Sequence, residues 1–207
     1  MQKITELSGT INKILCDATA GITEVPQGAD LCPFCEPSHR LRRHGIYRRT
    51  SVTADAVFRI CIQRLLCAAT GKTVSILPDF LLPRKQHVIP VVAAFFLAFA
   101  LQDLSLAASM VYATTIYPSR RKGTHWIRCL LRNEPAVRAY LASVLPRRRI
   151  PQSEAAPPPS ARSGFITRAR ARLKPLLDLL RNGFRSLQDA FRFHSRNLHI
   201  RFARALL

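Results

Sequence analysis

The stretch of sequence that decides the fold begins with Cys32-Pro33-Phe34-Cys35. Two cysteines separated by two residues on a tight turn supply half of a tetrahedral metal site. A second pair on a later turn commonly completes such a site. Cys67 stands where this second pair would begin, but the position of its partner is occupied by Thr70, and a threonine hydroxyl is a poor ligand for zinc.

Three interpretations of these cysteines are open from the sequence. In the first, Cys32, Cys35 and Cys67 bind Zn²⁺ with one further ligand. The candidates for that ligand are Cys61, His39 and His44. Cys61 shares strand parity with Cys67, so both side chains can lie on one face of a strand. In the second interpretation the same fold persists without metal on a small apolar core, and in the third the cysteines are unrelated buried thiols.

Residues 31–83 around this motif are predicted to form a small β-rich unit. The segment 57–64 alternates apolar and polar residues and is rich in β-formers, which indicates a strand. A turn at Gly71-Lys72 precedes a second predicted strand over 73–77, which Pro78 ends. His39 and His44 lie among arginines, a pattern that is also typical of a solvated basic loop.

Several segments of this unit together carry a resemblance to a known family. They are the Cys32–Cys35 motif, HGIYRR at 44–49, FRICIQRLLC at 58–67 and TVSILPDFLLP at 73–83. These segments resemble an uncharacterised bacterial family of zinc-ribbon proteins that is similar to the N-terminal region of insertion-sequence transposases. The resemblance covers about residues 31–90 and implies association with DNA in a mobile-element context. The family has a second Cys-x-x-Cys where this chain reads Cys67-Ala68-Ala69-Thr70.

The charge of the chain points to a polyanionic partner. Lysine and arginine number 32 against 12 acidic residues, which gives a formal net charge of +20. Such a surplus repels itself unless a polyanion neutralises it, and contacts to nucleic-acid phosphates are favoured by counterion release. We therefore expect nucleic acid, in the first place double-stranded DNA, as the partner, with an anionic membrane surface as the second candidate.

Residues 84–145 are predicted to be helical. The four predicted helices are 88–101, 104–112 capped by Asp103, one that starts after Ser119, and 136–145 after a break at Asn133-Glu134-Pro135. The first is apolar for roughly 14 residues, which is too short for a membrane span and indicates a buried core helix. The chain also lacks a secretory signal at its beginning, so we expect reduced thiols and a cytoplasmic protein.

The second and third predicted helices have the layout of a helix-turn-helix motif. Such a motif places the first residues of its second helix in the major groove of DNA. The candidate nucleic-acid-binding residues are Arg120, Arg121, Lys122, Thr124, His125 and Arg128, with Trp126 and Ile127 as core anchors. A helical hairpin with an exposed basic face explains the same pattern equally well.

The remaining segments are a leader, a linker and a tail. The leader, 1–30, has weak helical spacing at Ile4, Leu7, Ile11, Ile14 and Leu15, which predicts one short helix. Residues 146–163 form a proline-rich linker. The tail, 164–207, is basic, with a heptad-like apolar stripe along a predicted helix. That stripe fits self-association, a membrane surface, or packing against the helices of the same protein.

Catalytic motifs are not evident in the sequence. There is no phosphate-binding loop and no His-Glu-x-x-His motif. The four candidate carboxylates for a metal-dependent nuclease, Asp55, Asp79, Asp103 and Glu134, have no spacing that brings them together. We therefore expect an α+β protein that binds DNA without catalysis, as an accessory or regulator of a mobile element. The alternative is a membrane-surface or helix-mediated interaction protein.

Overall fold

The computed structural model describes residues 2–5, 29–144, 164–186 and 188–191. It divides into two compact units, Met1–Val88 and Ile89–Leu207. The first holds a β-sheet and the second holds helices, so the predicted α+β class is confirmed. The predicted linker, most of the leader and the end of the tail lie outside the described residues.

Four strands form one sheet in the order β1-β4-β3-β2. Their bounds are β1, Gln2–Thr5; β2, Arg42–Val52; β3, Val57–Leu66; and β4, Thr73–Pro78. β2 and β3 form an antiparallel hairpin, β4 is antiparallel to β3, and β1 is parallel to β4. The two predicted strands are therefore present as β3 and β4.

Two expectations for this unit were wrong. The predicted leader helix includes Ile4, but Ile4 belongs to β1 and pairs with Leu77 of β4. The alternative interpretation of His39 and His44 as parts of a basic loop does not hold for His44, which lies near the beginning of β2, an edge strand with four arginines. β1 depends on a partner more than 70 residues along the chain, whereas β2 depends on the hairpin that it forms with β3, and both pairings outweigh the local pattern.

The core of the sheet lies on both sides of β3. Ile60 and Ile62 are fully buried on one face, and Leu65 is buried on the other. Leu65 packs in a cluster with Val74 and Ile76 of β4 and with the cysteines of the N-terminal motif. This cluster fixes the motif against the sheet and positions the candidate site.

The described residues of the second unit form four main helices. They are α1, Ile89–Phe96, which continues as a π-helical turn over Leu97–Leu101; α2, Leu106–Ala113; α3, Arg120–Val144; and α4, Phe165–Gly183. α1 is buried as expected, and its Phe95 stacks on Phe99 and meets Trp126 of α3 edge to face. No helix in the described part of the chain combines the length and the apolar character needed to cross a membrane.

Helix α3 is continuous, although a break was predicted at Asn133-Glu134-Pro135. Pro135 has no N–H to donate to the carbonyl of Leu131. The Asn133 side chain donates to a different carbonyl, that of Cys129, at 3.0 Å. The helix continues because its apolar stripe continues through Val137 and Leu141, which are both fully buried.

The start of α2 also differs from its prediction. Ser105, not Asp103, is the cap, and its hydroxyl accepts a hydrogen bond from the Ala108 N–H at 3.2 Å. Asp103 adopts a left-handed backbone conformation with φ 56°. Its carboxylate lies 3.6 Å from Arg170 of α4, so it contributes to the packing of helices rather than to a helix start.

Candidate metal centre

Four side chains of the first unit converge on one point. They are Cys32, Cys35, His39 and Cys67, and their ligand atoms all lie within 4.8 Å of one another. Cys32 is 4% exposed and Cys67 is fully buried, whereas the other two are half-buried. Three sulfurs and one imidazole form a ligand set that is common in structural zinc sites.

The separations of these atoms match a tetrahedral ion. Zinc–sulfur and zinc–nitrogen bonds of about 2.3 and 2.05 Å imply a sulfur–sulfur distance of about 3.8 Å and a sulfur–nitrogen distance of about 3.5 Å. The Cys35 and Cys67 sulfurs are 3.6 Å apart, and the Cys67 sulfur is 3.5 Å from Nε2 of His39. These two separations are therefore those expected between ligands of one tetrahedral metal ion.

A closed loop brings three of the four ligands together. The Cys32 N–H donates to the His39 carbonyl at 2.7 Å, and the Ser38 hydroxyl donates to the Cys32 carbonyl at 2.9 Å. The Phe34 N–H points at the Cys32 sulfur from 3.4 Å. Backbone donors to ligand sulfurs are typical outer-shell interactions of metal sites.

The fourth ligand comes from the turn between β3 and β4. The Cys67 N–H donates to the Lys72 carbonyl at 2.9 Å, and its carbonyl accepts from the Gly71 N–H at 2.9 Å. Gly71 has φ +66°, a conformation that L side chains rarely adopt. This tight turn points the Cys67 side chain back toward the loop that carries the other ligands.

Thr70 stands where a further cysteine ligand would be expected, and it acts on the sulfur of Cys67 rather than as a ligand itself. Its hydroxyl, and to a lesser extent its backbone N–H, hydrogen-bond to Cys67 and lower the pKa of that thiol to about 6 against the opposing effect of burial. Burial, together with the neighbouring Cys67 and Cys32, raises the pKa of Cys35 to about 11. The pKa values of the two neighbouring thiols are thus shifted in opposite directions. A divalent cation favours the deprotonated form of both, because it binds all the sulfurs as thiolates.

The structure settles which residues lie at this centre. Cys32, Cys35 and Cys67 are together as predicted, and His39 is the fourth member. Cys61 pairs with Arg48 in mid-strand, six residues before Cys67, which corresponds to about 20 Å along an extended chain. His44 lies within β2, next to a β-bulge. Neither Cys61 nor His44 belongs to the described group.

A Thr70→Val substitution is expected to weaken metal binding without removing a ligand. Valine keeps the shape of threonine but cannot donate a hydrogen bond to Cys67. Loss of such an outer-shell partner lowers metal affinity about 10–100-fold. Competition with a chromophoric chelator measures the change, and Thr50→Val in β2 is the matched control, for which we expect an unchanged affinity.

The candidate nucleic-acid residues all lie in the first turns of α3. Arg120, Arg121, His125 and Arg128 are exposed, and Lys122 and Thr124 are half-buried. Trp126 and Ile127 are buried, as the helix-turn-helix prediction requires. The preceding helix, α2, ends at Ala113, and six residues separate it from the start of α3.

Residues 32–134 match the family model described as a domain of unknown function, DUF6431. The match includes all four residues of the candidate metal centre and the basic start of α3. No match to the chain was found among the curated proteins or among the solved structures.

Proposed function

We propose that the protein is a non-catalytic DNA-binding protein whose first unit is held by a structural zinc ion. The group of Cys32, Cys35, His39 and Cys67 supports the structural zinc ion, since four protein ligands fill a tetrahedral site and leave no position open for substrate. The ion stabilises the loop and the turn between β3 and β4, and it takes no part in a reaction.

The observation that carries the DNA-binding part is the charge at the start of α3. Arg120, Arg121 and Lys122 are consecutive, and the first turn of the helix contains no acidic residue. The helix dipole places partial positive charge at this end, so basic residues there cost stability. An anionic partner offsets that cost, and phosphate contacts at the start of a recognition helix have this geometry.

The mobile-element role is the most specific part of the proposal. It rests on the resemblance of about residues 31–90 to the N-terminal region of insertion-sequence transposases. An accessory or regulator is favoured over a transposase because the acidic residues that the structure describes in the helical unit have structural partners. Glu134, for example, accepts hydrogen bonds from Arg138 and Arg172 at 2.9 and 2.6 Å.

The alternative of self-association through the tail has less support. Leu173, Leu177 and Leu180 of the predicted stripe are fully buried within the helical unit, as is the neighbouring Leu176. Phe191 packs against Phe96, which lies in α1 of the same unit. The described part of the stripe is therefore buried within the helical unit, and it leaves little exposed apolar surface for a coiled coil.

The test of the proposal is a pair of substitutions at the start of α3. In Arg120→Ala/Arg121→Ala we expect roughly tenfold weaker binding to duplex DNA and a salt dependence whose slope is shallower by about 1.8. The same variant is expected to gain about 0.3–1 kcal/mol in the free energy of unfolding, because it removes charge that the helix dipole disfavours. Fluorescence anisotropy with a labelled duplex and denaturant unfolding measure the two effects.

The matched control is Arg84→Ala/Arg181→Ala, which removes two exposed arginines elsewhere. We expect its DNA affinity to stay within a factor of two to three of the unsubstituted chain. Equal losses in both variants contradict a specific role for α3. Failure of the unsubstituted protein to bind any duplex at moderate salt contradicts the proposed function as a whole.

A further inference from the structure

The β2–β3 hairpin presents a basic face that the metal centre and α3 do not use. β2 carries four arginines and β3 carries two, and neither strand contains an acidic residue. β4 pairs with β3 only over Arg64–Leu66, so the remainder of the hairpin is a two-stranded ribbon without a third strand.

The register of the hairpin separates its two faces. Residues that pair across antiparallel strands point to the same side, and successive residues alternate. One side carries Tyr47, Arg49, Ile60 and Ile62, and it packs within the unit; Arg49, for instance, donates to the carbonyls of the segment that follows β4. On the opposite side Val52, Gln63 and Leu65 are buried, and the other residues of the two-stranded part are exposed or half-buried.

We call the exposed and half-buried part of this opposite side the ribbon face. Its members are Ile46, Arg48 and Thr50 of β2 and Val57, Arg59 and Cys61 of β3. Arg48 and Arg59 are exposed, and they are diagonal neighbours, which places their Cβ atoms roughly 7–8 Å apart. Within the described residues neither of them forms an ion pair, so two like charges lie close together without a counter-charge.

The same face also exposes apolar side chains. Ile46 is 51% exposed and Val57 is 47% exposed, which places both among the few large hydrophobic residues that the described chain leaves open to solvent. A surface that combines unpaired arginines with apolar groups suits a partner with anionic phosphates and apolar base edges. The major groove of DNA admits a two-stranded β-ribbon.

We propose that the ribbon face is a second contact surface for duplex DNA, in which Arg48 and Arg59 bind phosphates. The proposal rests on the proposed function for the identity of the polyanion, but it concerns a different unit of the chain. The centre formed by Cys32, Cys35, His39 and Cys67 packs on the Leu65 end of the same face through a shared apolar cluster. A metal ion there therefore stabilises the sheet from which the ribbon extends.

Two opposite variants of the full chain test this proposal by anisotropy with a labelled duplex of mixed sequence. Arg48→Gln/Arg59→Gln is expected to weaken binding roughly tenfold near physiological salt and to reduce the salt slope by about 1.8. Ile46→Lys is expected to strengthen binding and to raise the slope by about 0.9. Misfolding cannot produce this gain, so the second variant separates a loss of contact from a loss of structure.

The outcomes distinguish this proposal from the proposed function. Arg84→Gln/Arg181→Gln removes the same charge elsewhere, and we expect its affinity to stay within a factor of two to three of the unsubstituted chain, with little change in slope. If the α3 variant weakens binding while both ribbon variants bind like the unsubstituted chain, the ribbon proposal is overturned and the proposed function stands. If the ribbon variants alter binding to anionic phosphatidylserine vesicles but not to the duplex, the DNA assignment of this face is overturned.

Discussion

Cys32→Ser is expected to abolish stoichiometric metal binding and to unfold the first unit. The unsubstituted protein should contain one zinc ion per chain, because three cysteines and one histidine that lie close together can supply all four ligands of a tetrahedral site. Structural zinc contributes about 10–16 kcal/mol of apparent binding free energy in zinc-finger peptides near neutral pH. That range is comparable to the whole stability of a typical domain, about 5–15 kcal/mol.

Elemental analysis and far-ultraviolet circular dichroism of the purified protein measure the two effects. Cys61→Ser is the matched control, since Cys61 is a half-buried cysteine of the same unit that lies outside the group. We expect this variant to retain one zinc ion and an unchanged spectrum. Two outcomes would support the metal-free interpretation of the fold. One is a Cys32→Ser protein that is fully folded without metal, and the other is an unsubstituted protein that is purified folded and without metal.

The sequence was informative wherever local chemistry decides the structure. The Cys32–Cys35 motif, the alternation in β3 and the serine before α3 each depend on a few neighbouring residues, and each of these features is present. The buried anchors Trp126 and Ile127 also follow from local helical spacing. Roughly these features were enough to predict the α+β class and three of the four residues at the metal centre.

The sequence was less informative where contacts between residues far apart in the chain decide the structure. His39 was one of three candidates for the fourth ligand, and only the loop closed by the Cys32–His39 hydrogen bond selects it. Cys61 was a candidate because of its strand parity with Cys67, but that argument does not consider the rise of about 3.3 Å per residue along a strand. Pro135 and Pro175 both lie inside helices, because burial of the surrounding apolar residues outweighs the lost backbone hydrogen bond.

A second large effect is expected from Arg170→Ala in α4. The π-helical turn after α1 shifts the backbone hydrogen bonds, and Arg170 donates to the carbonyls of Phe99 and Leu104 at 2.9 and 2.6 Å. Its guanidinium also lies 4.8 Å from the centre of the Phe99 ring. Its side chain is only 26% exposed, so solvent replaces these contacts poorly. We expect a loss of about 3 kcal/mol in the free energy of unfolding, since hydrogen bonds to charged groups contribute about 1.5–3 kcal/mol each.

Denaturant unfolding followed by tryptophan fluorescence measures this loss selectively, because the single tryptophan, Trp126, is buried in the helical unit. Arg181→Ala in the same helix is the control; its exposed ion pair with Asp178 should contribute no more than about 1 kcal/mol. Arg170→Lys should recover little of the stability, because an ammonium group lacks the planar fork that reaches two carbonyls. Equal stabilities for Arg170→Ala and Arg181→Ala would show that the π-helical turn is held by apolar packing alone.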